Sequence, residues 1–177
     1  MSSITLYEQP FFKGNSKTFN ENVRDLAIYS FLKMVRSLKV EGKPWIAYGG
    51  QEFCGDFKIY KEGDHTNLGD FSEKISSLQV IKVSLEDPEI VLYEHINYGG
   101  KKVSVLEVNR NVKGAGLEGH ISSHKVKKGA WILYTETELH GKRMFSMEDQ
   151  PNYCILGWND QVSSLKPLTD EDFHKPI

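Results

Sequence analysis

Two all-β domains, each a β-sandwich of two Greek-key motifs, are what this sequence predicts, and three observations predict them. The first is an aromatic residue followed, after four positions, by a second large apolar residue and then by a glycine two further on. It recurs as Tyr7/Phe12/Gly14, Tyr48/Phe53/Gly55, Tyr93/Tyr98/Gly100 and Tyr134/Leu139/Gly141. The leading tyrosines lie 41 residues apart in each half and the halves lie 86 apart; such a period marks a repeat architecture and outranks local propensity. The second is a serine that closes a loop ahead of a short alternating run, as in Val35-Arg36-Ser37, Ile75-Ser76-Ser77, Ile121-Ser122-Ser123 and Val162-Ser163-Ser164. The third is a tryptophan, Trp45 or Trp131, that opens the second repeat of each half, so that unlike repeats follow one another in the order A-B-A-B.

The elements follow in order. Residues 4–9 alternate with Ile4 and Leu6 on one face, as a half-buried strand does. Pro10-Phe11-Phe12-Lys13-Gly14 then reverses the chain, the glycine taking the positive φ that a tight hairpin needs while paired aromatics cover the turn. Lys17-Thr18-Phe19 resumes the strand, a long connection runs over 20–33, and residues 35–40 alternate again. The second repeat opens with Trp45-Ile46-Ala47-Tyr48 and closes with Ser76-Ser77-Leu78-Gln79-Val80-Ile81. Leu85-Glu86-Asp87-Pro88 carries a turn signal between the halves. The third repeat begins at Ile90-Val91-Leu92-Tyr93, and residues 125–134 mirror residues 39–48. Short strands with one long connection per repeat suit the Greek key. The expected domains are 1–84, with Greek keys 4–44 and 45–84, and 90–169, with Greek keys 90–130 and 131–169. A linker at 85–89 joins them, and 170–177 forms a tail whose acidic stretch 170–174 reads as frayed. Short helix is an option at 22–31 and 67–71.

Composition narrows the function classes. With 177 residues, 39% of them hydrophobic, and glycine and proline spread along the chain, extended disorder is disfavoured. A net charge of −2 gives no basic face for nucleic acid, and clusters such as Lys125-Lys127-Lys128 read as solvated strand ends. No apolar run is long enough to span a bilayer, and Met1-Ser2-Ser3-Ile4-Thr5 has neither the basic head nor the apolar core of a signal peptide. The expectation is a cytoplasmic protein, with unconventional secretion left open. Cys54 and Cys154, one per half, read as reduced, partly buried thiols, although a bridge between the halves stays open.

With the hairpin motif and the closing serine aligned in all four repeats, and a tryptophan opening each B repeat, the chain resembles the βγ-crystallin superfamily over residues 4–168. Only four of its 22 basic residues are arginine, which makes it more similar to the non-lens vertebrate members than to arginine-rich lens γ-crystallins. Among these it looks most like the amphibian epidermis differentiation-specific proteins, whose crystallin half precedes a further domain. The resemblance implies two Greek keys per domain and two similar domains.

The resemblance also implies a calcium motif: Asn/Asp, Asn/Asp, two variable residues, Ser/Thr, Ser. Calcium is a hard ion that takes six to eight oxygens. In the family each ion draws on the acidic part of one loop, a hydroxyl from the partner loop and a hairpin carbonyl. Asn159-Asp160-Gln161-Val162-Ser163-Ser164 matches at every position. The implied site is Asp160 with Ser122 and main-chain oxygens near Thr137 and Gln161, in the second domain only. The reciprocal site would use Ser163, but Glu118-Gly119 replaces its acidic pair. In the first domain Lys33 and Arg36 put cations where oxygens are needed, so no calcium is expected there. The alternative is that Asn159 and Asp160 only turn the loop while Ser163 and Ser164 bond the backbone.

Other constellations carry less. His120 and His124 are four apart, but the repeat places them on a loop and a following strand, which does not suit zinc. No nucleophile elbow accompanies Ser122, His124 or Cys154, and Gly49-Gly50 and Gly99-Gly100 are hairpin residues without a phosphate-binding context. Phe11 and Phe31 have no repeat role and read either as an exposed contact surface or as core of a long loop. By family analogy Phe57, Ile59, Phe145 and Met147 could pack the domains together. The expectation is a non-enzymatic structural protein that binds calcium through its second domain. The competing reading is an interaction module of a larger, pore-forming protein that reaches a lipid, glycan or protein partner through a C-terminal extension.

Overall fold

The computed structural model describes residues 2–117 and 120–173. The chain divides into two compact units between Lys82 and Val83. The strands of the first are β1 (Ser3–Gln9), β2 (Lys13–Phe19), β3 (Ser37–Glu41), β4 (Trp45–Tyr48), β5 (Phe57–Tyr60), β6 (Gly63–His65) and β7 (Ser77–Val80). Those of the second are β8 (Glu89–His95), β9 (Gly99–Val105), β10 (Ser123–Lys128), β11 (Trp131–Glu136), β12 (His140–Ser146) and β13 (Ser164–Pro167). All pairings are antiparallel, in sheets ordered β2-β1-β3-β6 and β5-β4-β7, and β10-β8-β9 and β12-β11-β13. No α-helix occurs among the described residues, and none of their helices is long and apolar enough to cross a membrane.

The connection in each repeat does not pair within its own sheet. Val23 pairs with Leu78, β6 with β3, Asn109 with Leu165 and Gln150 with His124. Every repeat thus gives its connecting segment to the other repeat of its unit, the exchange that closes a Greek-key pair. Alternate strand residues face inward. Ile4, Leu6, Leu38, Val40, Trp45 and Leu78 fill the first core, and Ile90, Leu92, Ile121, Trp131, Leu133 and Leu165 the second. The two tryptophans differ in one bond. Trp131 Nε1 donates to the Lys128 carbonyl at 3.3 Å, whereas Trp45 Nε1 is buried without a partner among the described residues.

Each hairpin turns through two residues at positive φ: Phe11 and Phe12, Glu52 and Phe53, Asn97 and Tyr98, Glu138 and Leu139. Left-handed backbone strains such side chains, and one buried serine per hairpin offsets the cost. Ser37, Ser77, Ser123 and Ser164 each donate their hydroxyl to a hairpin carbonyl at 2.6 Å and accept a hairpin N–H at 3.0–3.1 Å. The glycine that follows has its own reason: at Gly100 (φ 74°) a Cβ would lie 2.5 Å from His95 Cδ2. The aromatic pair meets edge to face, with centroids 5.4 Å apart for Tyr7 and Phe12 and 5.6 Å for Tyr93 and Tyr98.

Several expectations are refined. The helical options at 22–31 and 67–71 are single 3-10 turns, Leu26–Tyr29 and Gly69–Phe71. The stretch 170–173 is a docked 3-10 turn rather than a frayed tail: Asp172 takes Lys166 Nζ at 2.6 Å and the Thr169 N–H at 2.9 Å. The rest of that tail, 174–177, lies outside the described residues. Phe31 is core, while Phe11, thrown outward by its left-handed backbone, is 64% exposed.

Candidate metal centre

The exchange of segments brings the closing loops of the third and fourth repeats together. Gln150 pairs with His124 on β10, so the chain that continues from it runs beside Ser122, and the Tyr153 N–H donates to the Ser122 carbonyl at 2.9 Å. Asn152 caps the following 3-10 turn Tyr153–Leu156 by accepting the Cys154 N–H. The chain then turns back: Trp158 N–H donates to the Tyr153 carbonyl at 3.0 Å, Gln161 N–H to Trp158 at 3.1 Å and Asp160 N–H to Ile121 at 3.0 Å. Asp160 sits at φ 57°, a conformation that Asp tolerates better than most side chains.

Side chains complete the cluster. The Ser122 hydroxyl donates to Asn159 Oδ1 at 2.7 Å, and Asn159 Nδ2 donates to Asp160 Oδ2 at 3.3 Å. A hydroxyl, an amide oxygen and a carboxylate from two segments therefore share one locus, held by main-chain bonds. This all-oxygen set has the donor chemistry that a hard cation such as calcium takes.

The other sequence-predicted residues divide between two places. Gln161 follows Asp160 directly. Ser163 donates its N–H to the Tyr134 carbonyl and accepts the Val112 N–H, beside the β11–β12 hairpin that carries Thr137. That hairpin is tied to Ser164 and, through the Glu138 N–H, to the Arg110 carbonyl. Ser122 instead takes its N–H bond to Tyr93 at the β8–β9 hairpin, where Ile96 is the repeat equivalent of Thr137. Thr137 thus belongs with Ser163 at the reciprocal loop, and Ser122 with Asn159 and Asp160. Glu118 and Gly119, expected in that reciprocal loop, lie outside the described residues.

The first unit repeats the backbone frame with different side chains. Glu73, at φ 63°, donates its N–H to Val35 at 2.9 Å, as Asp160 does to Ile121, and Arg36 donates to Tyr7 as Ser122 does to Tyr93. There the Arg36 guanidinium bonds the Glu73 carboxylate directly. At the reciprocal place Lys33 stands where Asp160 would be, with Ser76 opposite.

Sequence reasoning passed over a buried polar pair. His124 is fully buried on β10, its Nε2 2.8 Å from Ser146 Oγ and 3.2 Å from the Glu148 carbonyl, its Nδ1 against the Tyr153 hydroxyl. A carbonyl only accepts, so Nε2 carries the hydrogen and Nδ1 accepts from Tyr153. Burial pushes the imidazole down to about 4, against a smaller opposing effect of the Glu148 hydrogen bond, and pushes the Tyr153 phenol up. The signal was present: His124 occupies the position of Leu38, Leu78 and Leu165, and Tyr153 that of Leu26, Leu68 and Val112. Both ring nitrogens of His124 are engaged, which leaves no lone pair for zinc.

Both cysteines are free thiols. Cys54 is half-buried, its thiol pushed up by burial and then by the Glu52 charge. Cys154 is exposed rather than partly buried, because the turn that points Tyr153 inward points its neighbour outward. Among the described residues no three His, Cys, Asp or Glu side chains gather into a metal-binding group.

The Beta/Gamma crystallin family model matches residues 3–81 and 89–168. The chain is similar to the epidermal differentiation-specific protein of Cynops pyrrhogaster, 36% identical over 170 residues that cover 95% of this chain and 50% of that one. It is also similar to the beta-crystallin B2 of Aquarana catesbeiana, 27% identical over 98% of this chain and 88% of the other. The chain thus spans half the length of the newt protein. Among solved structures, protein S complexed with calcium is 22% identical, covering 95% of this chain and 100% of that one with a TM-score of 0.41.

Proposed function

The chain belongs to the beta/gamma crystallin family, and on that premise we propose that it is a non-enzymatic structural protein whose second unit binds one calcium ion. The observation that carries the reading is the junction of Ser122, Asn159 and Asp160, three oxygen-bearing side chains on two separately fixed segments. Asp160 would supply the charge, Ser122 and Asn159 neutral oxygens, and Gln161 a main-chain oxygen as the family pattern implies. Bound there, the ion would cross-link the loops of two repeats. Since it binds only the folded form, it stabilises by mass action.

The first unit supports the same reading from the other side, since its two equivalent places are taken by Arg36 and Lys33. Isothermal calorimetry of the chain with calcium, alongside Asp160→Ala, tests the proposal. The expected outcome is one binding event in the parent and none in the variant. Absence of binding heat in the parent would overturn it.

A further inference from the structure

Four hydrogen bonds form a closed ring around the oxygen cluster: Tyr153 N–H to Ser122, Trp158 N–H to Tyr153, Asp160 N–H to Ile121, and the Ser122 hydroxyl to Asn159. Tyr153 bonds to both sides, to Ser122 and to Trp158 at the start of the Asn159–Asp160 loop, which also meet directly through the other two bonds. Its N–H holds one segment and its carbonyl the other, 2.9 and 3.0 Å away. The first unit has the same main-chain pattern around Leu26, which donates to Ser76 and accepts from Phe31, while Lys33 donates to Ile75. There the central side chain is apolar and packed in the core, with no hydroxyl to bond. In the second unit it carries a hydroxyl held by His124, only two residues along the strand from Ser122, and His124 is held in turn by Ser146 and the Glu148 carbonyl.

From this we infer that Tyr153, locked by His124, is a positioning residue for the oxygen cluster, fixing the distance between Ser122 and the Asn159–Asp160 loop before any ion arrives. An apolar contact tolerates lateral shifts, whereas a buried hydrogen bond fixes distance and direction. Groups that orient metal ligands from behind typically change affinity 10–100-fold when removed. The inference rests on the calcium reading for its affinity effect, but not for its effect on the metal-free loop.

Two variants test it. Tyr153→Phe keeps the ring and removes the hydroxyl. The double variant His124→Leu/Tyr153→Leu installs the apolar pair that the first unit carries as Leu38 and Leu68, so it remains a folded control if the single variant is unstable. Calcium affinity is measured by calorimetry, and amide hydrogen exchange at Trp158 and Asp160 is measured in chelator. The expected result is an affinity about tenfold weaker in both variants, with faster exchange at both amides and slow exchange retained in β11 and β13. Parent and variant affinities within twofold of each other would overturn the inference. Should the parent bind no calcium, the functional reading fails on its own, and unchanged exchange at Trp158 and Asp160 would separately overturn the positioning role.

Discussion

Arg36 and Glu73 bond side chain to side chain at the place that Ser122 and Asp160 hold in the second unit. The two loops share their backbone frame, so the difference lies in chemistry: one carries its own cation and the other presents oxygens. Both side chains of the pair are about half exposed, 43% and 56%, so the bond itself adds little stability. Its consequence is selectivity, because a guanidinium beside the carboxylate repels a second cation.

Restoring oxygens should therefore create a site. The triple variant Arg36→Ser/Ser72→Asn/Glu73→Asp copies the second unit's donor set into the first. In differential scanning calorimetry its first unit should gain about 2.7 kcal/mol when calcium is at a hundred times its Kd, while the parent's first unit stays unchanged. No calcium shift in the triple variant would show that the backbone frame alone does not position the donors.

The hairpin serines offer a second test. Ser123, itself buried, donates to the His95 carbonyl at 2.6 Å and accepts the Tyr98 N–H at 3.1 Å. Ser123→Ala leaves both main-chain groups without their partner and should cost about 2 kcal/mol in urea unfolding. A loss below about 0.5 kcal/mol would mean that water replaces the hydroxyl.

Acid should weaken the second unit first. His124 is neutral in the fold with a value of about 4, against 6.5 when exposed, so between those pH values the unfolded chain binds the extra proton. Stability from this group is full above about pH 6.5 and falls as pH drops toward 4, by about 3 kcal/mol in total. Urea unfolding in chelator at pH 7.5, 6, 5 and 4 measures the slope. His124→Leu should flatten it, and an unchanged slope would place the acid sensitivity elsewhere.

Two of the three tryptophans, Trp45 and Trp131, give an internal comparison. Each is fully buried, but among the described residues only Trp131 has an acceptor for its indole N–H. Replacing either by phenylalanine removes similar ring area, so the difference isolates the hydrogen bond. Trp131→Phe should cost about 1 kcal/mol more than Trp45→Phe. Equal losses would show that the Lys128 carbonyl contributes nothing.

Much of this molecule is legible from its amino acids. The hairpin motif works at short range: Tyr7, Phe12 and Gly14 meet within eight residues, so their spacing alone encodes the turn. Asn159 and Asp160 were legible for the same reason, being adjacent in one loop. Thr137 was assigned to Ser122 and instead sits by Ser163, because hairpins and serines are matched through segments exchanged between repeats. His124 was set aside as a weak zinc ligand, although its place in a leucine column marked it as buried.

By itself, then, the sequence determined the fourfold period, the all-β class, the turns and which loops carry oxygens, since each depends on residues a few positions apart. Tertiary structure decided the contacts themselves: Ser122 with Asn159 and Arg36 with Glu73, whose loops only the family resemblance had paired, and His124 with Tyr153, which nothing in the sequence had paired. Those pairs lie 37, 37 and 29 residues apart. They meet only when each repeat lends its connecting segment to its partner, and no local pattern fixes the distance across that exchange.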